Sequence, residues 1–209
     1  MFQSRRVAGR YARQEGETGD PMTALITGMI ILFGGHLALY TPLRPALKAR
    51  IGEGPFKGAF SLVALVGLGL MIWGYAMTRS GPEAANILYW PAGWTPHAAM
   101  LLVILAFISL AASFHKGRLK LWLRQPQSVG IALWAGAHLL VNGKLAAVLF
   151  FGGFLGLSLL DIAVSTARGQ VPSYVPKPRH DLIAVVAGLI LYGVFLLLFH
   201  PLVLNVPVV

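Results

Sequence analysis

The sequence predicts an all-α membrane protein, a polytopic transmembrane bundle of about six helices, and three observations carry this prediction. Of the 209 residues, 56% are apolar and only 11% are charged, and the mean hydropathy is +0.71, outside the range of soluble domains. Several uncharged runs approach the roughly 20 residues that cross about 30 Å of hydrocarbon. Because lipid cannot pair with backbone polar groups, these runs must be helices rather than open strands. A cytosolic enzyme is therefore excluded.

Six uncharged runs define the predicted spans. Four have the length of a full crossing, namely 23–40, 58–78, 97–114 and 182–204. Two shorter runs, 127–141 and 145–160, are joined by Asn142-Gly143-Lys144, which is typical of a helical-hairpin turn. At about 1.5 Å per residue, each short run reaches only about 22 to 24 Å. The pair is therefore either two thin spans or a re-entrant hairpin.

Local signals mark the ends of these spans and the organisation of the chain. Thr95-Pro96 predicts the start of the third span, and Asp181 is expected to cap the last one. The chain then reads as three parts: a basic tail or mis-assigned start (1–21), a transmembrane domain of five helices (22–168), and a cytoplasmic loop with the last span (169–209).

Lys and Arg are concentrated in alternate loops, which predicts the orientation of the protein. The loops after the first, third and fifth runs carry Arg44, Lys48, Arg50, Lys57, Lys116, Arg118, Lys120, Arg124, Arg168, Lys177 and Arg179. The opposite loops carry only Arg79 and Lys144. The positive-inside rule therefore predicts that the first set is cytoplasmic and that both termini lie outside. The arginines of the tail do not fit this assignment, and a start at Met22 would remove the discrepancy.

The residue types also exclude several kinds of chemistry. The chain has no cysteine, which excludes disulfides, thiolate metal sites, a cysteine nucleophile and covalently attached c-type haem. No P-loop or His-Glu-x-x-His motif occurs, and the carboxylates are too scattered for an acid–base pair. In so apolar a chain the excess of basic residues marks membrane-facing loops, so the predicted partner is the lipid bilayer and not nucleic acid.

Two of the six histidines lie clearly inside predicted spans. His36 follows Gly34-Gly35 in the first span, and His138 follows Gly136-Ala137 in the fourth. Intramembrane ionisable residues usually face a bundle interior or a cofactor, and small residues beside them allow close approach of a helix or a flat ring. Two imidazoles from different helices are a ligand set of b-type haem. The alternative is that each histidine hydrogen-bonds a backbone carbonyl on an adjacent helix.

The predicted depths of His36 and His138 in the membrane differ, which affects whether they can bind one haem. His36 lies near the cytoplasmic end of its span and His138 about 11 residues past the cytoplasmic start of its own, so their depths differ by about 10 Å, which helix tilt must absorb. His115 lies at the interface beside Lys116. His97, His180 and His200 are interpreted as structural, although His200 could line an outer-side cavity.

Two further groups of residues leave alternatives open. Asp161 and Arg124, both on the predicted cytoplasmic side, either pair or act as separate snorkelling anchors. An aromatic cluster near the outer end of the second span is interpreted as an interfacial belt, with a substrate mouth as the alternative. Its members are Trp73, Tyr75, Tyr89, Trp90 and Trp94.

Two segments of this sequence resemble a known family. The first contains Gly35-His36-Leu37, Thr41-Pro42-Leu43-Arg44, Phe60-Ser61-Leu62-Val63-Ala64 and Trp73-Gly74-Tyr75. The second contains Arg124-Gln125-Pro126, Leu133-Trp134, Ala137-His138-Leu139-Leu140 and Asn142-Gly143. With these residues, which span about two thirds of the chain, it resembles the NnrU family of bacterial membrane proteins, itself similar to plant and cyanobacterial zeta-carotene isomerase.

This resemblance implies a multi-pass protein of the bacterial inner (cytoplasmic) membrane and, through the isomerase branch, one that binds haem b. It implies that the histidines matching His36 and His138 bind the haem iron, and it leaves the catalytic residues unknown. The isomerase branch implies cis–trans isomerisation of a lipophilic carotenoid, whereas the NnrU branch is associated with denitrification, the metabolism of nitrite and nitric oxide. The alternative hypothesis is a cofactor-free scaffold or assembly factor for a respiratory membrane complex, for which the many small residues would suit helix packing.

Overall fold

The computed structural model describes residues 20–80 and 82–206, and the regular secondary structure within them consists of helices, joined by turns and loops, and an isolated bridge between Ile87 and Lys144. The helices are α1 (Pro21–Ala38), α2 (Leu43–Ile51), α3 (Glu53–Met77), α4 (Thr95–Ser113), α5 (Arg118–Leu123), α6 (Pro126–Val141), α7 (Leu145–Ala167) and α8 (Pro178–Val194). A 3-10 turn occupies Pro82–Ala85, and α8 continues into a π-helix at Phe195–Val203. The helical membrane bundle is thereby confirmed, whereas the tail before residue 20 lies outside the described residues.

Five of these helices are long and apolar enough to cross a membrane, namely α1, α3, α4, α7 and α8 with its π-helical extension. Helix α7 corresponds to the uncharged run 145–160. It is longer than that run, because it continues past Asp161 to Ala167. The Ser128 hydroxyl donates to the Asp161 carboxylate over 2.5 Å, and this contact gives the acidic side chain a partner. At 23 residues α7 reaches about 34 Å, so only the 16-residue α6 remains short.

The chain divides into two units, each described by itself: unit 1 is Met1–Leu88 with Lys144–Ala146, and unit 2 is Tyr89–Gly143 with Ala147–Val209. In unit 1, α1 packs along α3. Glycines permit the close approach, since a Cβ at Gly28 would lie 2.6 Å from the Gly67 oxygen and one at Gly74 would lie 2.4 Å from the Leu25 nitrogen. Leu25 and Met71 are fully buried in this interface.

The loop that follows α1 is itself helical. Along α2, Leu43, Leu47 and Ile51 recur every four residues and are exposed, while Arg44 and Lys48 lie beside this stripe. An apolar stripe flanked by basic residues is typical of a helix in the membrane interface. This location agrees with the predicted cytoplasmic side of the bilayer, where basic residues concentrate.

In unit 2, α4 is the central helix and contacts α5, α6 and α8. Small residues again set the spacing, because a Cβ at Gly130 would lie 2.9 Å from the Ala106 oxygen and one at Gly188 would lie 2.6 Å from the Ile108 Cα. The Ser109 hydroxyl, buried in this contact, donates to the Pro126 carbonyl over 2.7 Å. Helix α6 carries His138 near its end, and this hydrogen bond attaches its first residue to α4, the central helix of unit 2.

Asp181 does not cap the last span as the sequence suggests. The helix begins three residues earlier, at Pro178, so Asp181 lies in its first turn. Its carboxylate instead accepts the Arg118 and Leu119 N–H groups over 3.0 and 2.9 Å, at the first turn of α5. The reason is tertiary: α5 has no capping side chain of its own, and the fold brings Asp181 against Gly117.

Asp181→Ala is expected to loosen the start of α5. Loss of a side-chain cap costs about 1 kcal/mol, which is roughly a fivefold increase in local opening. Limited trypsin digestion in detergent, followed by mass spectrometry, should show faster cleavage after Lys116 and Arg118. Asp181→Asn, which keeps one acceptor oxygen, is the matched control and should lie between the two, while equal rates for all three proteins would contradict this role of Asp181.

Candidate functional site

Four histidines share one hydrogen-bond arrangement: His36, His138 and His200 lie in helical segments, and His115 lies just past the end of α4. In each, Nδ1 lies against a backbone carbonyl of the preceding turn: His36 on Leu32, His115 on Ala111, His138 on Trp134 and His200 on Phe195, over 2.7 to 2.8 Å. Because a carbonyl only accepts, the network assigns the proton to Nδ1 and leaves a lone pair on Nε2. Metal-bound histidines in proteins have this same arrangement.

His36 belongs to unit 1 and is half-buried near the end of α1. It follows Leu25, Gly28 and Leu32, the buried residues through which α1 packs on α3. The edge of its ring meets Phe60 at a centroid distance of 5.0 Å. Two residues before it, a Cβ at Gly34 would have no neighbour within 4 Å, so the helix surface beside His36 is open.

His138 belongs to unit 2 and is half-buried near the end of α6. Its ring stacks on Phe151 at 4.5 Å and lies 4.9 Å from Trp134, so its immediate surroundings are aromatic. The flanking Ala135 and Ala137 are fully buried, whereas a Cβ at Gly136 would have no neighbour within 4 Å. His138 therefore repeats the local pattern of His36, an anchored imidazole two residues after an open glycine.

The structure adds a neighbour that the sequence does not reveal. His200 lies 6.3 Å from His138 between ring centroids, and the two ring planes are within 19° of parallel. The signal that could have found this contact is depth, since the predicted topology places both residues towards the outer ends of their spans. His36 and His138, the pair predicted from the sequence, belong to different units, so their pairing remains a prediction.

The remaining histidines lie apart from this pair. His115 and His180 meet edge to face at 5.9 Å, and the Lys116 N–H donates to Nδ1 of His180 over 3.1 Å. His97 is exposed at the start of α4. Throughout residues 20–80 and 82–206, His, Asp and Glu nowhere form a group of three that could hold a metal ion.

Tyr89, one of the predicted belt aromatics, supports the end of the helix that carries His138. Its hydroxyl donates to the Asn142 carbonyl over 2.9 Å and also to the Leu139 carbonyl. Burial raises the pKa of this hydroxyl above its usual value, so it stays protonated and remains a donor at neutral pH. Carbonyls at the end of α6 that have no partner within the helix are thereby paired. The neighbouring Trp90 and Trp94 are 81% and 63% exposed, as expected for an interfacial belt.

A helical bundle with five candidate spans and histidines inside apolar helices defines a multi-pass membrane protein. The family described as NnrU protein matches residues 24–208. The chain therefore belongs to the NnrU family, and the match includes the last span, beyond the segments on which the resemblance rests. No curated protein and no solved structure matches it.

Proposed function

We propose that this protein is a membrane haem b protein that acts in nitrite and nitric oxide metabolism or in a carotenoid-type cis–trans isomerisation. His138 is one axial ligand of the iron, and the sequence pairs it with His36. The observation that carries the proposal is the state of the His138 imidazole, whose Nδ1–H is held by the Trp134 carbonyl while Nε2 keeps its lone pair in apolar surroundings.

The donor set fits haem b. Neutral imidazole nitrogen suits iron, and a backbone carbonyl on the opposite ring nitrogen is the usual partner of a metal-bound histidine. Non-covalent attachment agrees with the absence of cysteine from the sequence. Gly136, which has open space at its Cβ position, would let a flat ring lie against the helix beside His138.

The surrounding residues of unit 2 determine what such a site can do. The His138 ring contacts Phe151 and Trp134, and Phe154 lies 5.6 Å from Trp134 between ring centroids. Together these three side chains form an aromatic wall beside His138. This wall excludes water and favours a small uncharged gas or an apolar polyene over a charged solute. Bound haem would supply an iron centre that could take nitric oxide or a polyene once one of its two histidine ligands has left, while the protein supplies the imidazoles and the apolar surroundings.

The experiment is purification from haem-sufficient cells in mild detergent, followed by oxidised and dithionite-reduced absorption spectra. We expect a red protein with b-type bands and close to one haem per chain. Addition of nitric oxide to the reduced protein, and of cis-carotenoids in a separate assay, then distinguishes the two reactions. A colourless protein that also fails to take up added haemin would contradict the proposal and favour the cofactor-free scaffold.

A further inference from the structure

His138 and His200 lie side by side within unit 2. Their ring centroids are 6.3 Å apart and their planes are within 19° of parallel. Both rings donate Nδ1–H to a carbonyl of their own helix, so on both the coordinating atom is Nε2. Both residues are half-buried, which distinguishes them from histidines in solvent.

This spacing is that of two imidazoles on one metal. With a metal–nitrogen bond of about 2.0–2.1 Å, the centre of an imidazole ring lies about 3.2 Å from the metal, so two rings on opposite sides lie about 6.4 Å apart. A tetrahedral angle between the two bonds would bring the ring centres to about 5.2 Å. The centroid separation of 6.3 Å between His138 and His200 is close to the value for opposite positions and longer than the value for a tetrahedral centre.

The backbone at His200 is specialised to present this side chain. Residues Phe195–Val203 form a π-helix that contains Pro201, and the Nδ1–H bond of His200 reaches back five residues to Phe195. Phe195 in turn contacts Phe107 of α4 at 5.0 Å, which anchors the start of the π-helix in unit 2. Such π-helical turns are rare and occur frequently at functional sites.

The number of available ligands indicates the kind of metal centre. Because no group of three His, Asp or Glu side chains is present among the described residues, the protein offers this site two imidazoles and no third side chain of these types. A metal that already carries equatorial ligands, as iron does in a porphyrin, needs only those two. A bare ion that takes four ligands would need two more from outside the protein, in surroundings that are mostly apolar.

We infer that His200 is the second protein ligand of the iron that His138 binds. This inference rests on the proposed haem function and differs from the sequence-based pairing in its second residue, since His200 takes the position predicted for His36. It also removes the depth mismatch, because the sequence places His36 about 10 Å from His138 along the membrane normal, whereas His200 is its direct neighbour.

The test compares His200→Ala with His36→Ala in the full-length protein. The readouts are haem b per chain and the low-temperature electron paramagnetic resonance spectrum of the oxidised protein. We expect His200→Ala to lose haem by about tenfold or more, or to convert low-spin iron to high-spin iron. His36→Ala should keep the wild-type spectrum, as should His115→Ala, a matched control with the same kind of Nδ1 bond, to the Ala111 carbonyl four residues earlier.

His200→Met separates ligation from a purely structural role. Its thioether can replace imidazole on iron, so this variant should retain haem with a changed, His/Met-type spectrum. A wild-type spectrum in both His200 variants, with loss of haem in His36→Ala, would overturn the inference while leaving the proposed function intact. Absence of haem from the wild-type protein, even after addition of haemin, would instead overturn the proposed function and the inference with it.

Discussion

Replacing His138 by alanine is expected to yield a folded protein that carries almost no haem b. His138 belongs both to the ligand pair predicted from the sequence and to the pair inferred from the structure, so its loss removes a proposed ligand in either case. Loss of even an indirect partner of a metal ligand costs about 10- to 100-fold in metal affinity, and loss of the ligand itself should cost at least as much. Haem content is measured by the pyridine haemochrome of protein purified in detergent.

The control must show that the loss is not caused by misfolding. His115→Ala removes an imidazole whose Nδ1 makes the same kind of bond, to the Ala111 carbonyl four residues earlier, at a site where the neighbouring ring is His180. It should retain full haem. Size-exclusion profiles and far-ultraviolet circular dichroism of both variants should match the wild type. A His138→Ala protein with wild-type haem content would exclude His138 as a ligand and would leave the anchored imidazole a packing residue.

Gly67→Val is expected to separate α1 from α3 and to lower the midpoint of thermal unfolding of the protein in detergent. A Cβ at this position would lie 2.8 Å from the Leu32 nitrogen and 3.1 Å from the Gly28 oxygen. Both are backbone atoms, so relief requires movement of a whole helix rather than a change of rotamer. Overpacking of this kind costs typically about 1–3 kcal/mol and sometimes more.

Gly69→Val is the matched control for this substitution. Gly69 lies two residues further along the same helix, and a Cβ there would have no neighbour within 4 Å. The two variants have the same composition and nearly the same position in the membrane, so their difference isolates the contact with α1. Thermal unfolding in detergent should show a lower midpoint for Gly67→Val alone. Equal midpoints for the two variants would contradict the close packing of α1 on α3.

The class of protein and the approximate positions of the spans could be predicted from the amino-acid sequence. The uncharged runs 23–40 and 97–114 correspond to α1 and α4 within two residues at each end, because the length of a crossing is set by the bilayer and is visible in local composition. The family could also be predicted, since its motifs surround His36 and His138. What these histidines bind is proposed from the residue type and its surroundings.

The contacts between helices could not be predicted from the sequence and are known from the three-dimensional fold. Asp181 caps α5 across 62 or 63 residues of sequence, Ser128 pairs with Asp161 across 33, and His200 lies beside His138. Each of these contacts joins different helices, and helical periodicity carries no information about the partner of a side chain. The same holds for glycines: Gly67 and Gly69 look alike in sequence, yet only Gly67 faces another backbone. Hydropathy therefore determines which segments enter the bilayer, whereas side-chain packing between helices determines how the site is assembled.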